Sequence, residues 1–414
     1  MGSARDDVAI VGGGIAGGAL ALLLARAGLA VTVLEQSTTF RDKVRGETMP
    51  PWGYAELIAA GLVDVMVKAD GALATHYVPY GDTLTADVAE VAAMDASVLL
   101  PGVPGSLNLS HPLACQLLLD SAEAAGARVV RGIRQVQVTA GQSPSATYQL
   151  GGRDETVAAR LLVGADGRSS TVRRQIGIEL ATTGARTFGA GVLVEGLHGW
   201  PAGRNSLGTW GDVHFLVFPR TDGRARIYLM FDKADPSRFA GEDGGRRILR
   251  AMMGLACLPD PGIFAEAEAQ PGWASYPMSD TWTDKPFVEG VVLIGDAAGY
   301  NDPIIGQGLS IAVRDARLVA EALLAEPDWS PTTFEGYATE RTERMRRLRA
   351  TAETVTRLRC DFSPEGKQRR AAAFSRIAAD PAARLPIAAG LLGPHNLPPE
   401  AFTREAADRF LALP

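Results

Sequence analysis

Four short apolar runs, rich in β-branched residues, mark the chain at wide intervals. They are VAIVG (8–12), AVTVLE (30–35), ARLLVGA (159–165) and VVLIG (291–295). Runs of this length and composition are typical of buried parallel strands. Each is followed by glycine or by polar residues, and amphipathic helical segments lie between them. The pattern predicts an α/β lobe with a parallel sheet.

Between these runs the period changes from helical to alternating. Residues 187–196 (TFGAGVLVEG), 211–220 (GDVHFLVFPR) and 224–232 (RARIYLMFD) alternate in the way of half-buried antiparallel strands. The last eighty residues are helical in pattern, with breaks at Pro364 and Pro381. The predicted fold class is therefore α/β with three parts: a discontinuous α/β lobe (1–70, 107–177 and 275–331), an interleaved antiparallel-sheet lobe (71–106 and 178–274) and a helical C-terminal region (332–414).

The first apolar run leads into a glycine fingerprint. Gly12, Gly14 and Gly17 form G-x-G-x-x-G, in which the glycines permit the turn, the approach of a pyrophosphate and the packing of a helix, predicted from Ile15 to Ala27. The next strand ends in Glu35, whose carboxylate suits ribose hydroxyls and repels a 2′-phosphate. The segment predicts a site for FAD or NAD rather than NADP.

Two further motifs follow in a fixed order. Residues 161–173 (LLVGADGRSSTVR) end a strand at Asp166, with Ser169 predicted to cap the next helix. By itself this motif is better explained as a strand end followed by an Asx turn. Residues 291–316 carry Asp296 at a strand end and then DPIIGQGLS, in which Pro303 precedes a helix start bared by glycines.

Together the three motifs resemble the class A FAD-dependent aromatic monooxygenases of the p-hydroxybenzoate hydroxylase type. The resemblance implies a Rossmann-type, glutathione reductase-like FAD-binding domain and a smaller substrate domain that covers the isoalloxazine ring. It also implies FAD as cofactor, NADPH or NADH as a transient co-substrate, and hydroxylation of an aromatic small molecule by O2 through a flavin C4a-hydroperoxide. The cofactor-binding residues that it implies are Gly12, Gly14, Ala16, Gly17, Glu35, Arg45, His111, Asp166, Asp296, Pro303, Gly306, Gln307, Gly308 and Leu309.

Some positions depart from the family pattern or extend it. His111 stands where the family usually has arginine, and Ser310 where most members have asparagine. Arg45 matches an arginine that reaches the flavin side of the cofactor, and we predict a catalytic contribution from it. Glu47, in the Gly-Glu pair beside it, resembles flavin-dependent halogenases; the alternative is a solvated ion pair on a loop.

The candidate residues for contact with the substrate lie in or beside the antiparallel-sheet lobe. His214 is predicted to act in acid–base chemistry, because an unperturbed imidazole titrates near neutrality. Further candidates for substrate contact are Trp210, Tyr228, Arg186 and Tyr276. The alternative for all five residues is an ordinary place in the core or on the surface.

Other functions stay open. A flavin-dependent halogenase shares the fold and the Asp302–Pro303 pair, but residues 214–219 (HFLVFP) lack both tryptophans of the halogenase W-x-W-x-I-P motif. Lys68 lies in a different context from the halogenase lysine. An isoprenoid-saturating flavin reductase and a non-catalytic FAD-bound escort protein are further alternatives.

Composition narrows the partners. The 414 residues carry a net charge of −6, which disfavours a nucleic-acid partner. Cys115, Cys257 and Cys360 show no metal or disulfide spacing, so we expect no metal site and a reducing, cytoplasmic location. No membrane span is expected. The Ala-, Arg- and Gly-rich composition is associated with high-GC bacteria and, in this family, with secondary metabolism of polyketides or alkaloids.

The basic run from Arg341 to Arg359 is interleaved with Glu and Thr, and is predicted to be a solvated helix face. A homodimer is compatible with the sequence.

Overall fold

The computed structural model describes residues 6–44 and 46–413. The strands are, in chain order, β1 (Asp6–Val11), β2 (Val31–Glu35), β3 (Thr48–Met49), β4 (Ala72–Ala74), β5 (His76–Gly81), β6 (Met94–Asp95), β7 (Ser106–Asn108), β8 (Arg128–Arg131), β9 (Arg134–Thr139), β10 (Ser145–Leu150), β11 (Arg153–Gly164), β12 (Ala181–Thr182), β13 (Thr187–Glu195), β14 (Arg204–Trp210), β15 (Val213–Pro219), β16 (Ala225–Phe231), β17 (Glu268–Ala269), β18 (Ala274–Met278), β19 (Thr281–Trp282), β20 (Phe287–Val288) and β21 (Val291–Leu293). The α-helices are α1 (Ile15–Arg26), α2 (Pro51–Ala60), α3 (Val63–Val67), α4 (Ala86–Val91), α5 (His111–Ala124), α6 (Thr171–Gln175), α7 (Gly244–Met253), α8 (Gly308–Ala325), α9 (Glu335–Arg359), α10 (Pro364–Ala379), α11 (Leu385–Leu392) and α12 (Arg404–Phe410).

The four apolar runs form neighbouring strands of one sheet. Its order is β20-β21-β11-β1-β2-β8, and the pairs among β21, β11, β1, β2 and β8 are all parallel. Helix α1 packs against α5 and α8 on one face, where leucines and alanines of α1 are fully buried. The predicted parallel α/β lobe is confirmed. The carboxyl ends of its strands lie along one edge, where ligands bind in sheets of this kind.

A second sheet is formed by the alternating segments. Its order is β17-β13-β16-β15-β14-β5-β6, with β18 also paired to β13. Odd-numbered residues of β15 and β16, such as Phe215 and Ile227, enter a core closed by α7. Even-numbered residues of the same strands lie on the opposite face. We call this sheet the roof.

Residues 71–106 are only partly strands of the roof. Strand β4 joins β3 and β7 in a separate three-stranded sheet, and Ala86–Val91 form helix α4, whose N-cap Thr85 accepts a hydrogen bond from Val88. Strand β18 begins at Ala274 and pairs with the roof. The proposed domain limits stay a prediction.

The C-terminal region is helical, as predicted, from α9 to α12. The prediction of a solvated basic face on α9 is wrong for Arg341 and Arg344, whose side chains are buried against Asp315. Burial is tolerated because both guanidinium groups are paired with this carboxylate. Among the described residues, no helix is long and apolar enough to cross a membrane.

Candidate functional site

One large cleft lies between the carboxyl edge of the parallel sheet and the roof. Its volume is about 1220 Å³, above the roughly 300–1,000 Å³ of common small-molecule pockets, so it has room for a dinucleotide together with a second molecule. Every predicted cofactor residue lines it except Gly17, which packs behind it, and Arg45, which lies outside the described residues. The lining set is Gly12, Gly14, Ala16, Glu35, His111, Asp166, Asp296, Pro303, Gly306, Gln307, Gly308 and Leu309.

The glycine fingerprint forms the tight turn that the sequence predicts. Gly12 has φ +105°, and a Cβ on Gly17 would lie 1.9 Å from the Gly12 carbonyl oxygen. A Cβ on Gly14 would meet no atom within 4 Å, so open space lies directly over its backbone. Glu35 is buried and accepts hydrogen bonds of 2.7 Å from the backbone N–H groups of Gly13 and Ser37. These contacts hold Glu35 at the end of β2 beside the turn.

Asp166 caps the short helix α6. Its carboxylate accepts from the backbone N–H of Thr171 (2.6 Å) and Val172 (3.2 Å), and from the Ser170 hydroxyl. Ser170 in turn accepts from Arg173 N–H. The cap predicted at Ser169 is therefore wrong by one residue, because the helix begins at Thr171. Asp166 thus lines the cleft and caps α6, with backbone contacts five and six residues further along the chain and not the contact two residues on that defines an Asx turn.

The second and third motifs contact each other. Arg168 donates from Nε to Asp296 Oδ2 at 3.2 Å, and its guanidinium lies 4.4 Å from the centre of the Tyr300 ring. Asp296, Arg168 and Tyr300 all line the cleft. The contact ties the strand ends of β11 and β21 together.

The start of α8 faces the cleft. The first N–H groups of a helix have no partner within it, and a Cβ on Gly308 would meet nothing within 4 Å. The Gln307 side chain points away: its Oε1 accepts from Trp52 Nε1 at 2.6 Å, and its Nε2 donates to the Gly390 carbonyl at 3.1 Å. The Ser310 hydroxyl is buried without a hydrogen-bond partner and does not cap the helix.

The roof contributes apolar and aromatic side chains. Tyr228 and Tyr276 line the cleft as predicted, whereas Trp210 and Arg186 do not. Arg186 binds Asp280 at 2.7 Å behind the 301–302 segment. The full set of roof side chains in the cleft is Leu216, Phe218, Tyr228, Met230, Ala274 and Tyr276.

His214 does not reach the cleft. It shares a face of β15 with Leu216, but the end of α9 covers it: the Thr209 hydroxyl lies 3.1 Å from His214 Nδ1 and donates to the Arg359 carbonyl. Burial, and then the charge of Arg359, holds the pKa of His214 well below its usual value. An imidazole without access to the cleft cannot exchange a proton with a molecule bound there. The structure therefore contradicts His214 as the acid–base group.

Glu47 differs most from its sequence interpretation. The solvated ion pair is wrong, because Glu47 is 2% exposed. It accepts from Arg226 at 3.0 Å and from Arg220 at 3.2 Å, and Arg226 also pairs with Asp42. Burial raises the pKa of Glu47 to about 7 against the opposing effect of both arginines. We call Asp42, Glu47, Asp70, Arg220, Arg224 and Arg226 the interlobe charge cluster.

The interlobe charge cluster joins the two lobes. Its carboxylates come from the first segment of the chain, and its arginines come from the turn between β15 and β16 and from β16 itself. The alternation in 224–232 could have indicated an arginine of the cluster, because Arg226 lies two positions before Tyr228 and therefore on the same face of β16. The sequence carries no signal for its partners.

The remaining candidates have structural places. Lys68 is exposed and ends α3, away from the cleft lining. His111 begins α5, with its ring Nδ1 3.8 Å from Cys115 Sγ. Among residues 6–44 and 46–413, no group of three or more His, Cys, Asp or Glu side chains could hold a metal ion.

The fold and the cleft define a flavoprotein with a roofed dinucleotide site. Residues 5–352 match the sequence model of a protein family that is described as "FAD binding domain". The chain belongs to this family, the class A flavin monooxygenases, as the sequence motifs indicated; it is an enzyme of the FAD-dependent monooxygenase class, and its cofactor is FAD.

Named relatives agree with this membership. The chain is 27% identical over 372 residues to "Uncharacterized aromatic compound monooxygenase YhjG" of Bacillus subtilis (87% of this chain, 70% of the relative). It is 29% identical to kynurenine 3-monooxygenase of Salinispora tropica (79% and 75%). In fold it is similar to p-nitrophenol 4-monooxygenase PnpA of Pseudomonas putida, with a TM-score of 0.76, 20% identity and 98% of each chain covered.

Proposed function

We propose that this enzyme hydroxylates an aromatic small molecule, using O2 and electrons from NADH or NADPH. A single observation carries the proposal. One cleft is lined on the side of the parallel sheet by all three predicted FAD motifs, and on the side of the roof by uncharged, partly aromatic side chains. The names of relatives support it, because 3-hydroxybenzoate 6-hydroxylase of Polaromonas naphthalenivorans is 25% identical over 85% of this chain.

Bound FAD supplies the redox and oxygen-transfer chemistry, and the protein binds and orients the reactants. We assign the backbone at Gly12 and Gly14 to the pyrophosphate and Glu35 to a ribose. Asp296 is assigned to the hydroxyls of the ribityl chain. The N–H groups at the start of α8 favour negative charge on the group beside them, because a helix N-terminus carries partial positive charge.

The roof has two tasks in this proposal. Its apolar side chains exclude water from the reacting centre, and its two tyrosines supply neutral hydrogen-bonding groups. Burial keeps the Tyr228 phenol protonated, since it raises the pKa well above the usual value against the opposing charge of Arg226. The proposal needs no histidine in the cleft.

The test begins with FAD-loaded protein, mixed anaerobically with NADPH and then with NADH while the flavin absorbance is followed. Direct bleaching, faster in the presence of an aromatic compound, is expected. Air containing ¹⁸O2 should then place one labelled oxygen in the product, measured by mass spectrometry. Absence of reduction by either nicotinamide would refute the proposal, and a product formed only with added halide would identify a halogenase instead.

A further inference from the structure

The roof carries no charge toward the cleft. Its lining side chains are two tyrosines, one phenylalanine, one leucine, one methionine and one alanine. Neighbouring strand β13 has glycines on the same face, and the tyrosine rings pack directly on them: a Cβ on Gly191 would lie 2.7 Å from Tyr228, and one on Gly189 would lie 3.2 Å from Tyr276. The two rings are thereby fixed against the sheet. Their hydroxyls are the only oxygen or nitrogen atoms among these six side chains.

Arg226 belongs to roof strand β16 and Arg220 directly follows roof strand β15, but each already has carboxylate partners. Arg220 binds Glu47 and Asp70, and Arg226 binds Glu47 and Asp42. Both guanidinium groups are at most 3% exposed. Neither arginine lines the cleft, and a substrate carboxylate that reached either guanidinium group would compete with the protein carboxylates already paired to it.

Arg186 is occupied in the same way. It binds Asp280 at 2.7 Å and lies 3.5 Å from Asp302, and both carboxylates are fully buried. Asp280 also accepts from Asn301 Nδ2 and from the backbone N–H of Asp302, so this group holds the segment before Pro303. Releasing Arg186 to a ligand would disturb that segment.

We propose that the site selects an uncharged aromatic substrate, such as a phenol, aryl ketone or aryl ester, and discriminates against aromatic carboxylates. This inference rests on the proposed function and names its substrate class. A carboxylate under the roof loses its hydration and meets no unpaired cation among the described roof residues, whereas a neutral ring makes the same apolar contacts without having to desolvate a charge. The cations that line the cleft outside the roof are exposed or already paired. Arg41 and Lys43 are exposed side chains of the 41–44 loop, Arg134 is exposed and donates to the Gln36 carbonyl, and Arg168 is paired with Asp296.

The probes are 3-hydroxy-2-naphthoate and its methyl ester, which differ in one charge at pH 8. Each is titrated into FAD-loaded protein without nicotinamide, and binding is followed by perturbation of the flavin spectrum. We expect the ester to bind at least ~10-fold more tightly, the scale of leaving one charge poorly paired. Equal or tighter binding of the acid would overturn the inference, and its loss in Arg45→Ala would identify Arg45 as the anion site.

A designed charge supplies the complementary test. Ala274 is half-buried, lies on the edge strand β18 and lines the cleft. Ala274→Arg should shift the preference toward the acid by at least ~10-fold, whereas Ala274→Gln, of similar length without charge, should keep the preference for the ester. A shift of the same size in both variants would overturn the role of charge.

The two proposals fail in different ways. If the ester binds but neither flavin reduction nor oxygen insertion follows, the proposed function fails and the substrate class stands as a binding property. If nicotinamide reduces the flavin and the acid is the better ligand, the function stands and the inference about charge fails. If neither probe perturbs the flavin spectrum at any attainable concentration, the inference is overturned.

Discussion

Arg341 of α9 holds the loop that carries Asp296. Its guanidinium donates to the carbonyls of Ala298 (2.9 Å), Gly295 (3.1 Å) and Gly299 (2.8 Å), and it binds Asp315 at 3.0 Å. It is 1% exposed. Arg341→Met keeps an unbranched apolar stem and removes every one of these donors.

The expected loss follows from these contacts. Removing one partner of a buried ion pair costs about 3–5 kcal/mol, and each unsatisfied buried polar group about 1–3 kcal/mol. Asp315 keeps Arg344 (2.6 Å) and the Gly295 N–H (2.8 Å), so its charge stays partly compensated. We therefore expect a loss of about 3–4 kcal/mol in the free energy of unfolding. FAD affinity should fall as well, because the loop loses three of its anchors.

Urea unfolding followed by tryptophan fluorescence measures the stability, and ultrafiltration of free flavin measures the affinity. Arg346→Met on the same helix is the matched control. Arg346 pairs with Glu343, and both side chains are nearly half exposed, so the control should lose no more than about 0.5 kcal/mol. Equal losses in both variants, or undiminished FAD binding by Arg341→Met, would refute the reasoning.

Two further predictions concern the fingerprint and the interlobe charge cluster. Gly17→Ala places a Cβ 1.9 Å from the Gly12 carbonyl and should reduce FAD retention on gel filtration at least ~10-fold, while Gly336→Ala, whose Cβ enters open space, should retain it. Glu47 has its pKa raised from 4.5 to about 7, so it holds its proton more tightly in the folded state; its contribution to stability is greatest below pH 4.5 and is lost as pH rises through about 7. This amounts to about 3 kcal/mol, and Glu47→Gln should flatten the profile of unfolding free energy between about pH 4.5 and 7. An unchanged slope in that variant would contradict the assignment.

Local patterns in the sequence were enough to predict the part of the cleft that the parallel sheet forms. The apolar runs, the glycines of the fingerprint and the acidic residues at strand ends predicted the parallel sheet and most of the cleft lining. These features are predictable because strand burial and turn geometry depend on neighbours within a few residues. The cap at Ser170 instead of Ser169 shows the limit, since a helix start can shift by one residue within the same motif.

The substrate side depended on the tertiary structure. His214 and Tyr228 alternate alike in their strands, yet the end of α9 covers the first and leaves the second in the cleft. The sequence predicts Glu47 as a solvated loop residue, whereas the fold brings it into contact with Arg220, 173 positions away. The sequence predicts Arg341 as part of a solvated basic face, whereas the fold surrounds it with Asp315 and three backbone carbonyls.

The sequence by itself therefore determined the family, the cofactor and the position of the dinucleotide motifs, because each is encoded by residues close together in the chain. Only the tertiary structure decided which charges are neutralised, which polar groups reach the cleft and which are buried behind it. The physical reason is that a side chain's charge state and access depend on groups brought together by chain closure over long separations, and no local pattern records that pairing.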